Sequence, residues 1–133
     1  MAIVKQVLKK VRQQAVVKVV GSGSITLDLD ELSLSDETLD RPNVKVNVTG
    51  LMWSTTDSAG APIVINRDGV ALMYLHGNDN WSMSQMFGVS DTANNYANIQ
   101  IVPPNNCTLY LQLTKEAGYV IDANTFIHQN PVP

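Results

Sequence analysis

Apolar and polar residues alternate with a period of two along much of the chain. Ile25, Leu27 and Leu29 alternate with Thr26, Asp28 and Asp30, and Val44, Val46 and Val48 alternate with Lys45, Asn47 and Thr49. Successive side chains of a strand point to opposite faces, so each run predicts a strand with one face buried. In CTLYLQL, residues 107–113, Leu109, Leu111 and Leu113 repeat the pattern. The strongest local signal is IVINRDGVALMYLHG. Two β-rich runs there flank Asn66-Arg67-Asp68-Gly69, and Gly69 supplies the positive φ of a short hairpin loop.

Other segments are less clear. Ile3, Val4, Val7, Leu8 and Val11 fit a helical face, whereas Val7, Val11, Ala15, Val17 and Val19 fit one face of a long strand; β-branched content favours strand from Ala15 onward. GSGS at 21–24 breaks the chain. Glu31 to Pro42 reads as a loop with one short turn, 55–62 and DTANNYAN as loops, and NDN at 78–80 as a polar turn after Gly77. WSMSQMFGV alternates again, 97–102 reads as a strand, 118–121 as a short last strand, and NTFIHQNPVP as irregular. The expected fold is all-β: a single antiparallel β-sandwich of about eight or nine short strands, with an extended N-terminal arm and a Pro-containing C-terminal tail. The expected division is a basic arm at 1–14, the sandwich domain at 15–128 and a tail at 129–133.

Composition agrees with that class. At 133 residues the chain is one domain long, and only 16% of it is charged. Cys107 is the single cysteine, so no intramolecular disulfide forms. No apolar run is long enough to span a membrane as a helix, and no signal peptide is read. The net charge of -3 is mild but unevenly placed. Residues 1–20 hold Lys5, Lys9, Lys10, Arg12 and Lys18 and no acid, whereas 28–40 hold Asp28, Asp30, Glu31, Asp36, Glu37 and Asp40 and no base. Three readings stand: two solvated faces, a basic arm docked on an acidic surface of this chain or a neighbour, and a basic arm on nucleic acid. The arm has no interleaved aromatics for base stacking, which counts against the last. Lys5, Lys9, Lys10 and Arg12 are the interface candidates.

Catalytic chemistry does not rise above background. His76, His128 and Cys107 lack zinc-ligand spacing and carry no nucleophile signature, and no phosphate-binding or hydrolase motif is present. No enzyme activity, cofactor or metal is therefore expected; calcium on the acidic segment 28–40 stays open. The stretch VALMYLHGNDNW, residues 70–81, reads as a structural corner in which the His76 ring bonds a backbone carbonyl. Its alternative is a ligand rim: Trp81, with His76, Asn78, Asp79 and Asn80, stacking on and hydrogen-bonding a sugar.

AVVKVVGSGSITLDL, RDGVALMYLHGNDNW and CTLYLQLTKEAGY together resemble small virion structural proteins of tailed phages, particularly phages of marine bacteria. The resemblance runs from Ala15 to Tyr119 and is one of pattern, with no catalytic residues to carry over. It implies a non-enzymatic virion component assembled in the host cytoplasm, foremost a capsid decoration (cement) protein bound to the major capsid protein or other virion proteins. A homo-oligomer in the assembly is expected as well, with no membrane partner, and the charge and missing aromatics of the arm count against nucleic acid. A neck or tail component and a carbohydrate-binding β-sandwich for host attachment are the alternatives.

Overall fold

The computed structural model describes residues 2–56, 60–89 and 91–121. Among them the chain is all-β, with eleven strands in three sheets paired antiparallel. The strands are β1 (Val4–Lys10), β2 (Gln14–Gly21), β3 (Ile25–Leu27), β4 (Glu37–Leu39), β5 (Lys45–Thr55), β6 (Ile63–Arg67), β7 (Val70–Leu75), β8 (Asn78–Ser82), β9 (Ile99–Val102), β10 (Cys107–Ala117) and β11 (Tyr119–Ile121). The largest sheet runs β1-β2-β10-β5-β8, the second β3-β9-β6-β7, and β11 pairs with β4 as a two-stranded ribbon.

Alternation builds the core. Val17 and Val19 of β2, Leu109, Leu111 and Leu113 of β10, and Val46, Val48 and Leu51 of β5 are buried from the first sheet. Ile63 and Ile65 of β6, Ile99 and Ile101 of β9, and Leu27 of β3 are buried from the second, and all belong to one apolar cluster. The β6–β7 hairpin turns on Asp68 and Gly69, at φ 51 and 74, the paired left-handed geometry of a two-residue hairpin loop. Arg67 is therefore a strand residue and not part of the turn.

Several expectations need correction. Strands number eleven among the described residues, not eight or nine, and they fall in three sheets. The start of the chain is no extended arm: β1 pairs with β2 from Val4↔Val20 to Lys10↔Ala15, with a bulge between Val7 and Lys9. That bulge shifts the side-chain phase, which is why the sequence reads as helix and strand at once. Leu29 ends no strand. Leu29–Leu32 is a single 3₁₀ turn with a full capping box: the Asp28 side chain accepts from Asp30 N–H, and Glu31 accepts from Asp28 N–H. Residues 78–80 are no turn; they open β8, pairing with β5 through Asn80↔Met52 and Asn78↔Ser54. β7 ends the second sheet, and Tyr74 on it is 61% exposed. Residues 122–133, with His128 and the tail at 129–133, lie outside the described residues.

Candidate functional site

The acidic segment is covered by this chain's own bases. Lys5 Nζ sits 2.5 Å from Glu31 Oε2 and donates to the Thr26 carbonyl. Arg12 holds Asp36 bidentately at 2.7 and 2.5 Å and lies 3.4 Å from Glu37. Arg41 bonds Asp28 at 2.7 Å and Asp30 at 3.3 Å. The Arg12 guanidinium is raised by Asp36 first, against desolvation. Of the four interface candidates, then, Lys5 and Arg12 dock within the chain, whereas Lys9 and Lys10 are exposed on the β1 edge. No group of three or more metal-ligating side chains converges among the described residues, so the acids of 28–40 form no calcium cage there.

Deeper in lies an ion pair that no local pattern announces. Lys115, fully buried on β10, donates to Glu37 Oε1 at 2.9 Å and to the carbonyls of Val11 and Leu32 at 2.9 and 2.8 Å. The Tyr119 ring lies 4.4 Å from its Nζ, at cation–π distance. Burial alone raises the Glu37 carboxyl, but the Leu34 N–H and the Lys115 ammonium outweigh it, and the net shift is downward. Lys115 thus ties together the β1–β2 connection, the capped turn and β4. The Tyr119 hydroxyl donates to the Leu29 carbonyl at 2.6 Å, and burial, then the Asp30 charge, raises its pKa.

Arg67 is the second buried cation, 1% exposed, and its acceptors are backbone carbonyls. Its guanidinium donates to Val46 at 2.5 Å, to Asn95 at 2.9 Å and to Ala97 at 2.6 and 3.0 Å, joining β6 to β5 and to the loop before β9. Burial pushes its pKa down to about 10. A guanidinium surrounded by carbonyls satisfies itself and three acceptors at once, which explains how a charge sits in the core without a carboxylate.

The corner at 70–81 carries the chain from one sheet to the other. β7 is the edge of the second sheet, and β8 is the edge of the first. Gly77, at φ 65, makes the crossing. The His76 ring Nδ1 lies 3.0 Å from the Gly60 carbonyl, Trp53 Nε1 donates to the His76 carbonyl at 3.0 Å, and Thr55 N–H donates to the Gly77 carbonyl. His76 therefore faces a backbone carbonyl as expected, though one in the loop before β6 and not in its own turn. Trp81 is half-buried and packs on the core.

The proposed rim residues separate. Asn78 lines a shallow groove of about 430 Å³ on the outer face of the first sheet, with Met52, Ser54, Asn80, Thr108 and Tyr110. Asp79 also borders it but bonds the following Asn80 N–H. Trp81 does not line that groove but borders two neighbouring spaces, one of which shares Met52, Asn80 and Tyr110 with it. Together with Leu51, Trp53, Met73, Tyr74 and Leu75 it forms an apolar slot of about 340 Å³ between the free edges β7 and β8. Just beyond β8, a single 3₁₀ turn at Met83–Met86, capped by Ser82 and Gln85, presents Phe87 fully to solvent. Cys107 is buried, and burial pushes its thiol up, away from reactivity. No family model, curated protein or solved structure matches the chain.

Proposed function

We propose that this chain is a non-enzymatic structural protein of a phage virion, foremost a decoration protein that seats on the head shell through its strand edges. In this reading the two larger sheets are the leaves of one sandwich, and the outer edges are its working surfaces. The observation that carries it is the set of exposed apolar residues at two edge strands: Val4, Leu8 and Val11 on and just after β1, and Val70 and Tyr74 on β7. Free strand edges present unpaired backbone groups, and apolar side chains along them mark contact surfaces. Lys9 and Lys10, also exposed on β1, supply charge for an acidic shell surface. Lys5 and Arg12 are instead part of the fold.

Copy number in purified particles tests the assignment. Near-stoichiometric amounts relative to the major shell protein support decoration; trace amounts favour a neck or tail part; absence removes the virion reading. A Lys9→Glu/Lys10→Glu double variant is expected to fold normally and to lose attachment to stripped shells. A carbohydrate-binding reading rests on the Asn78–Tyr110 groove with its amide and hydroxyl side chains. Tyr110→Ala would abolish glycan retention if it holds, and a glycan array on which the wild-type chain retains nothing would remove it.

A further inference from the structure

Two apolar features lie close together along the chain, one in the wall of β8 and one just after it. The first is a knob: Phe87, 99% exposed, flanked by Met86 at 51% and Val89 at 64%. Phe87 sits in the left-handed region, at φ 57, at the end of the capped turn. A bulky residue is uncommon there and costs about 1–2 kcal/mol. A backbone held in that conformation to display a phenyl ring to water is the reverse of what stability alone selects. The second is the slot between β7 and β8, walled by Leu51, Trp53, Met73, Tyr74, Leu75 and Trp81.

We infer that the occupant of the slot is Phe87 of a second copy of this chain, in a reciprocal two-fold pair. Size supports this. An apolar cavity of about 150 Å³ accepts a benzene ring, so a slot of about 340 Å³ admits the phenyl ring with Met86 beside it. Chemistry supports it, because the six side chains of the wall are aliphatic, thioether or aromatic, and none is charged. Placement supports it as well. The knob follows the wall strand β8 through the single turn Met83–Met86, six residues after Trp81, and a two-fold axis can exchange the two features between copies. Each buried ring removes roughly 150–250 Å² from water. Two seated rings therefore remove roughly 300–500 Å², the scale of a weak pair that forms and dissociates with concentration. The inference does not depend on the virion reading, since it is self-association of the isolated chain.

Sedimentation velocity of the full chain across concentrations tests it. Wild type is expected to sediment as a dimer that dissociates on dilution. Phe87→Ser should weaken the dimer about thirtyfold or more, as truncating an aromatic hot spot does, with an unchanged circular dichroism spectrum and, at dilutions where wild type is monomeric, an unchanged melting midpoint. Phe87→Leu should retain most of the association. To locate the contact, chains carrying Met86→Cys and chains carrying Tyr74→Cys are mixed under mild oxidation. A mixed disulfide dimer forming faster than either homodimer places the knob in the partner's slot, and buried Cys107 does not compete. A wild type that stays monomeric overturns the inference and leaves the knob for a different kind of partner. A Phe87→Ser chain that dimerises like wild type, or mixed cysteines that link no faster than unmixed ones, overturns it equally.

Discussion

Strand β5 begins and ends in opposite settings. Near its start, the Val46 carbonyl accepts from a buried guanidinium, and Val44 just before the strand lies against Gly118. At its far end, Trp53 and Leu51 wall an apolar slot open to solvent. The first region spends its side chains inward: Lys115, Glu37, Arg12, Arg67 and Tyr119 close on one another and on backbone carbonyls. No buried side-chain nitrogen or oxygen among the described residues is left without a partner. The second region leaves apolar surface uncovered, on the slot walls and at Phe87. Strand β5 thus meets a closed polar network near one end and an open apolar slot at the other, and substitutions should separate the two.

The largest effect is expected at Lys115. Lys115→Met leaves the buried Glu37 carboxylate with only Arg12 at 3.4 Å and the Leu34 N–H, and should cost about 3 kcal/mol in chemical denaturation, the low end for removing one partner of a buried pair. A Lys115→Met/Glu37→Leu double variant should recover part of that loss; no recovery would mean that the carbonyls of Val11 and Leu32 dominate. Arg67→Met comes next. It orphans the Val46, Asn95 and Ala97 carbonyls and should cost roughly 2–3 kcal/mol, with no change in self-association beyond that of a less stable fold.

Acid should act on the ionic end. The folded-state pKa of Glu37 lies below its ordinary value of 4.5, so its contribution is complete above that value and is lost as pH falls through the depressed folded pKa. Asp28, lowered first by the Asp30 backbone N–H and further by Arg41, against desolvation, acts in the same direction. Urea midpoints measured on the acid side should therefore fall with pH in wild type and fall less steeply in Glu37→Gln. Equal slopes would detach Glu37 from the acid limb. The smallest effect is expected at the open flank: Phe87→Gly should leave stability unchanged or raise it by about 0.5 kcal/mol, because glycine adopts positive φ freely. A large loss there would show that the knob is part of the core after all.

How far these regions were legible in the sequence follows from their physics. The β6–β7 hairpin was readable because Asp68-Gly69 is a local turn signal, and β2 and β10 because their valines and leucines keep an unbroken period of two. β8 was missed because an edge strand with Asn78 and Asn80 on its outer face looks like a polar turn. The turn at Leu29–Leu32 carried a signal that went unused: Asp28 with Glu31 three residues on is a capping-box spacing. The Lys115–Glu37 pair spans 78 positions, and no short-range pattern announces such a contact. Arg67 read as a turn residue because burial of a charge against carbonyls depends on a loop, 95–97, brought in from elsewhere.

The central position of β10 has a consequence for how the chain is made. β10 pairs with β2 on one side and β5 on the other, so Leu111 meets Val17 and Leu51 at the same time. Both partner strands leave the ribosome long before β10 does. Until residues 107–117 emerge, β2 and β5 have two exposed edges facing a gap, and the first sheet is divided into a β1–β2 hairpin and a β5–β8 pair. Closing loops of that length is slow, and edges waiting open are prone to pair with the wrong strand. Synthesis rate and chaperone supply, more than final stability, should then set the yield of folded chain.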